Sequence, residues 1–300
     1  MARALLVPLL EQGAVAAGRV QAVVASEASA GRLRAELGVA VGTDPATAWA
    51  EAVVLLAVKP QQLRRVAAAA PSFAAGQAPL LISVLAGVTL RQLEQAFPHC
   101  QVVRAVPNTP CLVRAGITGL AWGAAVQTEQ CDQVRSWFAS VGQVFELPES
   151  QLDGFLALAS SGPALAAVVI EALADGGVAA GLPRALSLQL AGGMMAGSVQ
   201  LLQQQQLHPG QLKDMVASPA GTTIAALRRL EQGGVRSALI EAVLAAAERS
   251  RALAEGCVVW LDQLAPDLLP SFGSVPAIRR PRLARCRHTT NTVVSTARAR

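Results

Sequence analysis

The sequence predicts an α/β fold: an N-terminal parallel sheet with helices between its strands, followed by an all-α region. Three observations carry this. Short apolar runs rich in valine and leucine alternate with helical stretches as far as Ala121. Loop-forming residues gather at the C-terminal ends of those runs. From Pro148 the strands stop and helical periodicity takes over. The domains therefore read as 1–147, a sheet domain; 148–256, a helical domain; and 257–300, a disordered basic tail.

In order, Met1-Ala2-Arg3-Ala4-Leu5-Leu6 opens directly into a helix that ends near Gly13. Val20–Ala25 is a valine-rich strand and Arg32–Leu37 is helical. Asp44-Pro45 pairs an N-cap with a first-turn proline. Val53–Val58 and Leu80–Leu85 are continuous apolar strands, the pattern of strands buried on both faces. Gln61–Ala70 is helical between them. Thr89-Leu90-Arg91-Gln92 is a capping box that opens a helix. Val102–Ala105 and Ile117–Ala121 are further strands.

The helical region is punctuated by Ser160-Ser161-Gly162-Pro163, which kinks or restarts a helix, and by Gly181-Leu182-Pro183. Ala164–Ala174 is apolar nearly all round, which predicts burial on most sides. Arg184–Gln205 carries small residues at Gly192, Gly193, Ala196 and Gly197 that allow close helix approach. Val235–Ala254 is amphipathic, with Leu239, Ile240, Val243 and Leu244 opposite Arg236, Glu241, Glu248 and Arg249. After Gly256 the periodicity fades and Pro266, Pro270, Pro276 and Pro281 punctuate the remainder. Such a tail is expected to be dispensable.

Composition narrows the function. Of 300 residues, 52% are hydrophobic and 3% aromatic, so the core is built mainly from close-packed aliphatic side chains. The net charge of +5 is local: residues 279–300 hold seven arginines and no acid, leaving 18 basic against 20 acidic groups elsewhere. The body thus has no nucleic-acid footprint. Cys100, Cys111, Cys131, Cys257 and Cys286 are odd in number and scattered, as expected of free thiols in a reducing, cytoplasmic compartment. His99, His208 and His288 have no ligand spacing, and no metal site is expected. Pro163–Leu182, the most apolar helical run, contains Glu171 and Asp175, so no membrane span is read there.

The densest chemistry lies in Lys213-Asp214-Met215-Val216-Ala217-Ser218-Pro219-Ala220-Gly221-Thr222-Thr223-Ile224. Pro219 and Gly221 make a turn, and Ile224, Leu227 and Leu230 then recur at helical spacing. The first amides of such a helix lack intrahelical partners and sit at its positive end. Small side chains leave them open to a carboxylate or phosphate, with the hydroxyls of Ser218, Thr222 and Thr223 alongside. The same residues also suit an ordinary Ser/Thr cap.

A second constellation lies on the strand ends, where open α/β sheets bind ligands. Ser26-Glu27 follows the first strand. Ala57-Val58-Lys59-Pro60, Val84-Leu85-Ala86-Gly87-Val88-Thr89 and Arg104-Ala105-Val106-Pro107-Asn108-Thr109-Pro110 follow later ones.

Taken together, these strand-end segments, the Ser218–Thr223 turn, His208-Pro209-Gly210-Gln211-Leu212-Lys213-Asp214 and Glu231-Gln232-Gly233-Gly234-Val235-Arg236-Ser237 resemble, in order and spacing, the pyrroline-5-carboxylate reductases. The resemblance covers roughly residues 1–256. It implies a Rossmann-like cofactor domain, a helical substrate domain whose helices intertwine between two subunits, and reduction of 1-pyrroline-5-carboxylate to L-proline by NAD(P)H, the last step of proline biosynthesis. It places Ser26, Asp44, Ala57, Val58, Lys59, Pro60, Val84, Leu85, Ala86 and Asn108 at the cofactor. Ser218, Gly221, Thr222, Thr223 and Glu149 fall at the substrate, with Thr223 as the catalytic partner of the imine nitrogen. Asp44 is equally a plain cap, and Glu149 equally a solvated first-turn acid. Ser26 stands where an NAD enzyme would carry an acid, which favours NADPH over NADH.

The sequence also departs from that family. The family's first strand and glycine-rich turn precede a Met-Ala pair, and this sequence begins at Met1-Ala2. The sheet domain is therefore expected to be incomplete, with a central strand missing and its neighbours' backbone groups unpaired. Either the start of translation lies upstream, or the product is truncated and impaired. Ser160 and Leu165 replace the family's usual glycine and tyrosine, and Ala217 and Ala220 its usual threonine and glycine. The alternatives are a non-catalytic oligomer of the same fold and a reductase of another small imino or hydroxy acid.

Overall fold

The computed structural model describes residues 1–74, 76–261 and 292–296. The chain divides into two units, Met1–Ser160 with Ala247–Arg300, and Ser161–Ala246.

The first unit is an α/β sheet. Its strands are β1 (Val20–Val24), β2 (Ala40–Gly42), β3 (Val53–Ala57), β4 (Leu80–Ser83), β5 (Gln101–Val106), β6 (Gly116–Trp122), β7 (Gly142–Glu146) and β8 (Thr292–Thr296). Its helices are α1 (Ala2–Glu11), α2 (Glu27–Leu37), α3 (Pro45–Trp49), α4 (Leu63–Ala68), α5 (Leu90–Ala96), α6 (Thr128–Ala139) and the short α7 (Leu152–Phe155). The spatial order is β2-β1-β8-β3-β4-β5-β6-β7. Neighbours joined through helices run parallel, as at β1–β2, β3–β4, β4–β5 and β6–β7.

Alternate residues of β3 serve opposite faces, as the two-residue period of a strand requires. Val53 packs with Leu5, Ile82, Val103 and Phe138 on the side of α1 and α6. Val54 and Leu56 pack with Trp49, Leu63, Leu81, Leu93 and Phe97 beneath α3, α4 and α5. A strand covered on both faces reads as the unbroken apolar run seen in its sequence.

Three features differ from the sequence expectation. β6 runs antiparallel to β5, because the Pro107–Ala115 connection is too short for a crossover. The short strands β2 and β7 were not expected; Gln143 and Glu146 interrupt the apolar pattern of β7.

The third correction concerns the centre of the sheet. The slot between β1 and β3, expected to be empty, holds β8, antiparallel to both. Thr292 lies opposite Val24 and Ala57, and Thr296 opposite Val20 and Val53. The disordered tail expected from residue 257 is therefore corrected at two places: α12 (Val235–Leu261) extends into its first residues, and Thr292–Thr296 forms β8. Thr-Val-Val-Ser-Thr is rich in β-branched residues, which suit a strand, although it lacks the alternation of a half-exposed one. The rest of the tail lies outside the described residues.

The second unit holds α8 (Gly162–Ala179), α9 (Arg184–Gln204), α10 (Pro209–Val216), α11 (Thr222–Gln232) and the first part of α12. α8 and α9 form a hairpin around Gly181-Leu182-Pro183. They approach closely at Gly177, where a β-carbon would come within 2.8 Å of Ser187 Oγ. The burial expected of Ala164–Ala174 is not found within the chain: Val168 and Leu173 are exposed, as are Leu186, Leu188, Leu190 and Met194 of α9.

Candidate functional site

The turn between α10 and α11 is built as an open helix start. Pro209 stands at the first position of α10, and His208 caps it by accepting from the Gly210 amide at 3.1 Å. α10 ends at Val216. The chain then turns back through Ala217–Gly221, closed by a Gly221 N–H bond to the Ser218 carbonyl at 3.1 Å. Ala220 takes a left-handed φ of +55° to make the turn, a conformation that disfavours a β-carbon. Gly221 is the N-cap of α11 and no side chain caps the helix. The first intrahelical bond is from Ala225 N–H to the Gly221 carbonyl, at 3.3 Å. The amides of Thr222, Thr223 and Ile224 are thus left for an outside acceptor.

Neither Ser218 nor either threonine caps α11. Ser218 Oγ lies over the Gly221 backbone, Thr223 is half-buried and Thr222 is exposed. A cavity of about 390 Å³ adjoins the turn, lined by Lys213, Gly221, Ile224, Leu227, Arg228 and Glu231. Lys213 Nζ pairs with Asp214 at 2.9 Å. The Arg236 guanidinium, bonded at 2.7 Å, holds the Glu231 carboxyl below its ordinary range. The uncapped amides and hydroxyls make this turn suited to a small carboxylate.

In the first unit the predicted cofactor residues gather on one edge, at the C-terminal ends of β1, β3, β4 and β5. Ser26 follows β1 and caps α2, accepting from Ser29 N–H at 3.3 Å. Asp44 caps α3, accepting from Ala46 N–H at 3.0 Å. Ala57 ends β3, and Val58, Lys59 and Pro60 lead away from it, with Lys59 exposed. Val84 and Leu85 follow β4; Leu85 is buried in the core while Ala86 is exposed. Asn108 follows β5 and is buried. Its amide donates to the Ala159 carbonyl at 3.0 Å and accepts from Ile117 N–H at 2.9 Å. Both ends of the Asn108 amide are thereby committed to the fold.

A cavity of about 340 Å³ opens on this edge between α1 and α2, lined by Met1, Ala2, Arg3, Ala22, Ser29, Arg32 and Ala57, among others. No side chain caps α1. Its start and the two arginines therefore present donors and positive charge to one space, although Arg3 is also paired with Glu36. Such a cavity fits the phosphates of a dinucleotide. Sequence reasoning did not single out Arg3, Ser29 and Arg32; Arg3 and Ser29 stand in the first turns of α1 and α2, and Arg32 nearly one turn beyond Ser29.

Glu149 does not stand alone as a solvated acid. Its Oε1 accepts from Leu90 N–H at 2.6 Å and from Arg104 Nη1 at 3.0 Å. Among the described residues no cluster of histidine, cysteine or carboxylate side chains is arranged to hold a metal ion.

Known proteins match both units. Residues 149–253 match the family described as pyrroline-5-carboxylate reductase dimerisation, and residues 1–87 match NADP oxidoreductase coenzyme F420-dependent. A pyrroline-5-carboxylate reductase of Synechocystis is 49% identical over 202 residues, 67% of this chain and 74% of the relative. That of Escherichia coli is 35% identical over 257 residues, 85% of this chain and 95% of the relative. Among solved structures, a pyrroline-5-carboxylate reductase from Coxiella burnetii has a TM-score of 0.74 at 31% identity, covering 84% of this chain and 94% of the other. The Plasmodium falciparum pyrroline carboxylate reductase with NADP bound has a TM-score of 0.67 at 30% identity, covering 72% and 82%.

Proposed function

The chain belongs to the pyrroline-5-carboxylate reductase family, and from that premise we propose that it reduces 1-pyrroline-5-carboxylate to L-proline with NADPH as hydride donor, as the last step of proline biosynthesis. The observation that carries this reading is the uncapped start of α11, with three free amides beside Ser218 and Thr223.

The substrate is a small cyclic imine bearing a carboxylate. Ser218 and the amides of Thr222, Thr223 and Ile224 hold the carboxylate, favoured by the positive end of the helix. The Thr223 hydroxyl donates to the imine nitrogen, which polarises the carbon–nitrogen double bond. The nicotinamide cofactor supplies the hydride that adds to the imine carbon. The double-bond electron pair moves to nitrogen, which takes the Thr223 hydroxyl proton as that oxygen regains one from water, completing the secondary amine of proline. Gly221 keeps the floor of the turn open for the carboxylate. Thr222 belongs to the same start of the helix and contributes its amide.

The α1 start, Arg3, Arg32 and Ser29, which line the cavity there, hold the cofactor phosphates, with Ser26 bonded to Ser29 beside them. Two arginines and two hydroxyls with no acid at Ser26 favour a 2′-phosphate, hence NADPH over NADH. Asp44, Ala57, Val58, Lys59, Pro60, Val84, Leu85, Ala86 and Asn108 shape the same edge.

The exposed apolar side chains of α8 and α9 fit a homodimer interface. Two helical stretches, Glu149–Ala179 and Arg184–Gln204, are long and apolar enough to cross a membrane by length and composition. Association of two copies in the cytoplasm accounts for the same surface, and Glu171 and Asp175 lie within the first stretch.

The test is an assay of the purified full chain with pyrroline-5-carboxylate and NADPH, following loss of the reduced nicotinamide absorbance and appearance of proline. Turnover with this substrate, and weaker turnover with other cyclic imino acids, is expected. A folded dimer that forms no proline would favour the second reading, an oligomer of this fold without activity. That reading draws on β8, which lies antiparallel between β1 and β3.

A further inference from the structure

Arg104 is the bulkiest fully withdrawn side chain among the described residues, at 2% exposure. It stands on β5 and faces a cluster that imine reduction does not call for. Its Nη1 donates to Glu149 Oε1 at 3.0 Å, and its Nη2 lies 3.6 Å from Asp153 Oδ1. Asp153 in turn accepts from Ser250 Oγ at 2.7 Å. Glu149 also accepts from the Leu90 amide at the start of α5. Nε and Nη2 of Arg104 have no hydrogen-bond partner, so the cation is held mainly by its carboxylates.

The placement of these partners matters. The chain passes between its two units twice, after Ser160 and after Ala246. Asp153 lies on α7, in the stem that leads to the first crossing. Ser250 lies on α12, in the stem that follows the second. One guanidinium therefore reaches the outgoing stem directly and the returning stem through Asp153. The returning stem has a second tie nearby: Gln92 Nε2 donates to the Ala254 carbonyl at 2.8 Å. Leu253 sits so close over Gly87 that a β-carbon there would come within 2.7 Å. Gly87 also has φ +69°, so no other residue suits the contact.

A buried ion cluster is a poor source of stability, since apolar residues of similar volume often serve as well. What it adds is geometry, because only one arrangement satisfies the charges. We propose that Arg104 is a positioning residue: through Glu149, Asp153 and Ser250 it clamps both stems, α7 and the part of α12 after Ala246, against the sheet, in the one arrangement that hydride transfer uses. The kinetic part rests on the reductase reading above; the clamp itself does not.

The test uses the full chain and Ser250→Ala, Asp153→Asn and Arg104→Lys. Ser250→Ala removes one hydroxyl and leaves no new buried charge, so it folds even if the others do not. Amide hydrogen exchange should rise by about fivefold or more in peptides covering 152–160 and 247–254, with β3 and β4 unchanged, because opening of a local unit need not involve the rest. In the same variant kcat should fall by about threefold or more while KM for NADPH stays within about twofold. Arg104→Lys, which keeps the charge but loses the planar fork, should show both effects. Parent-like exchange in both stems of Ser250→Ala would overturn the clamp. Loosened stems with an unchanged kcat would overturn the positioning role. If the parent reduces no pyrroline-5-carboxylate, the reductase reading fails and the exchange comparison alone decides the clamp.

Discussion

Ser218 Oγ lies so close over the Cα of Gly221 that a β-carbon on that glycine would come within 2.2 Å of it. The backbone there is ordinary, with φ −81°, so the glycine is required by proximity and not by conformation. Gly221→Ala should fold, since Ser218 is exposed and its hydroxyl can rotate away. That rotation takes the hydroxyl off the start of α11. We expect KM for the imino acid to rise by about tenfold, equivalent to ~1.4 kcal/mol of lost binding, with the melting temperature little changed. An unchanged KM would mean that Ser218 does not touch the substrate.

One residue earlier the conformation is the problem. Ala220 holds φ +55°, which glycine adopts freely and alanine does not. Ala220→Gly should stabilise the chain by about 1 kcal/mol, the usual cost of a left-handed L-residue, seen as a rise in Tm of a few degrees. A fall in Tm would show that the entropy glycine adds to the unfolded chain outweighs the relieved strain.

The pair Arg135–Glu146 sets a pH dependence. Arg135 Nε donates to Glu146 at 2.6 Å and Trp122 Nε1 donates to its other oxygen at 2.9 Å. The Arg135 bond first, then the Trp122 bond, hold the Glu146 carboxyl below its ordinary range. A depressed folded-state pKa gives stability that is present above the unfolded value and lost as pH falls through the folded one. Both side chains are about two-fifths exposed, so the effect is small and weakens with salt. Melts across the acid range should show part of the acid loss vanish in Glu146→Gln. Identical curves would leave the pair without influence.

How much of this was legible follows from where the signal lies. Runs buried on both faces, such as Val53–Val58, announce their strands by composition alone. β7 does not, because Gln143 and Glu146 break the apolar pattern. The direction of β6 depends on the length of one loop, which residue types do not encode. The open start of α11 was visible as a turn and a helix, but capped and uncapped forms share the same serine and threonines. Arg104 was visible only as part of a strand-end motif. Its partners lie 45, 49 and 146 positions further along the sequence, and such pairing leaves no local trace. The strain at Ala220 was foreshadowed only by the family's usual glycine there.

β8 gives a prediction opposite to the one made from the tail's composition. It pairs along its whole length with β1 on one side and β3 on the other. Deleting residues 292–300 therefore unpairs both neighbours at the centre of the sheet, where exposed edges invite association. We expect a lower Tm and concentration-dependent aggregation. A deletion variant that melts like the parent would show that the slot is stable without β8.

The sharpest separation is between Thr223 and Ser218, which stand at one turn but are assigned different jobs. The carboxylate is held alike before and during hydride transfer, so Ser218→Ala should mainly raise KM. The imine nitrogen changes as the hydride arrives: the electron pair moves onto it and the Thr223 bond strengthens. An interaction made better in the transition state acts on kcat. Thr223→Ala should lower kcat by about tenfold or more, since ~1.4 kcal/mol is a factor of ten in rate. Thr223→Val keeps the branched shape of the half-buried side chain without the donor, so it should match the alanine variant. Because no side chain caps α11, neither change removes a helix cap, and Tm should stay near the parent value. Full kcat in Thr223→Val would assign the imine proton to water and leave Thr223 a packing residue.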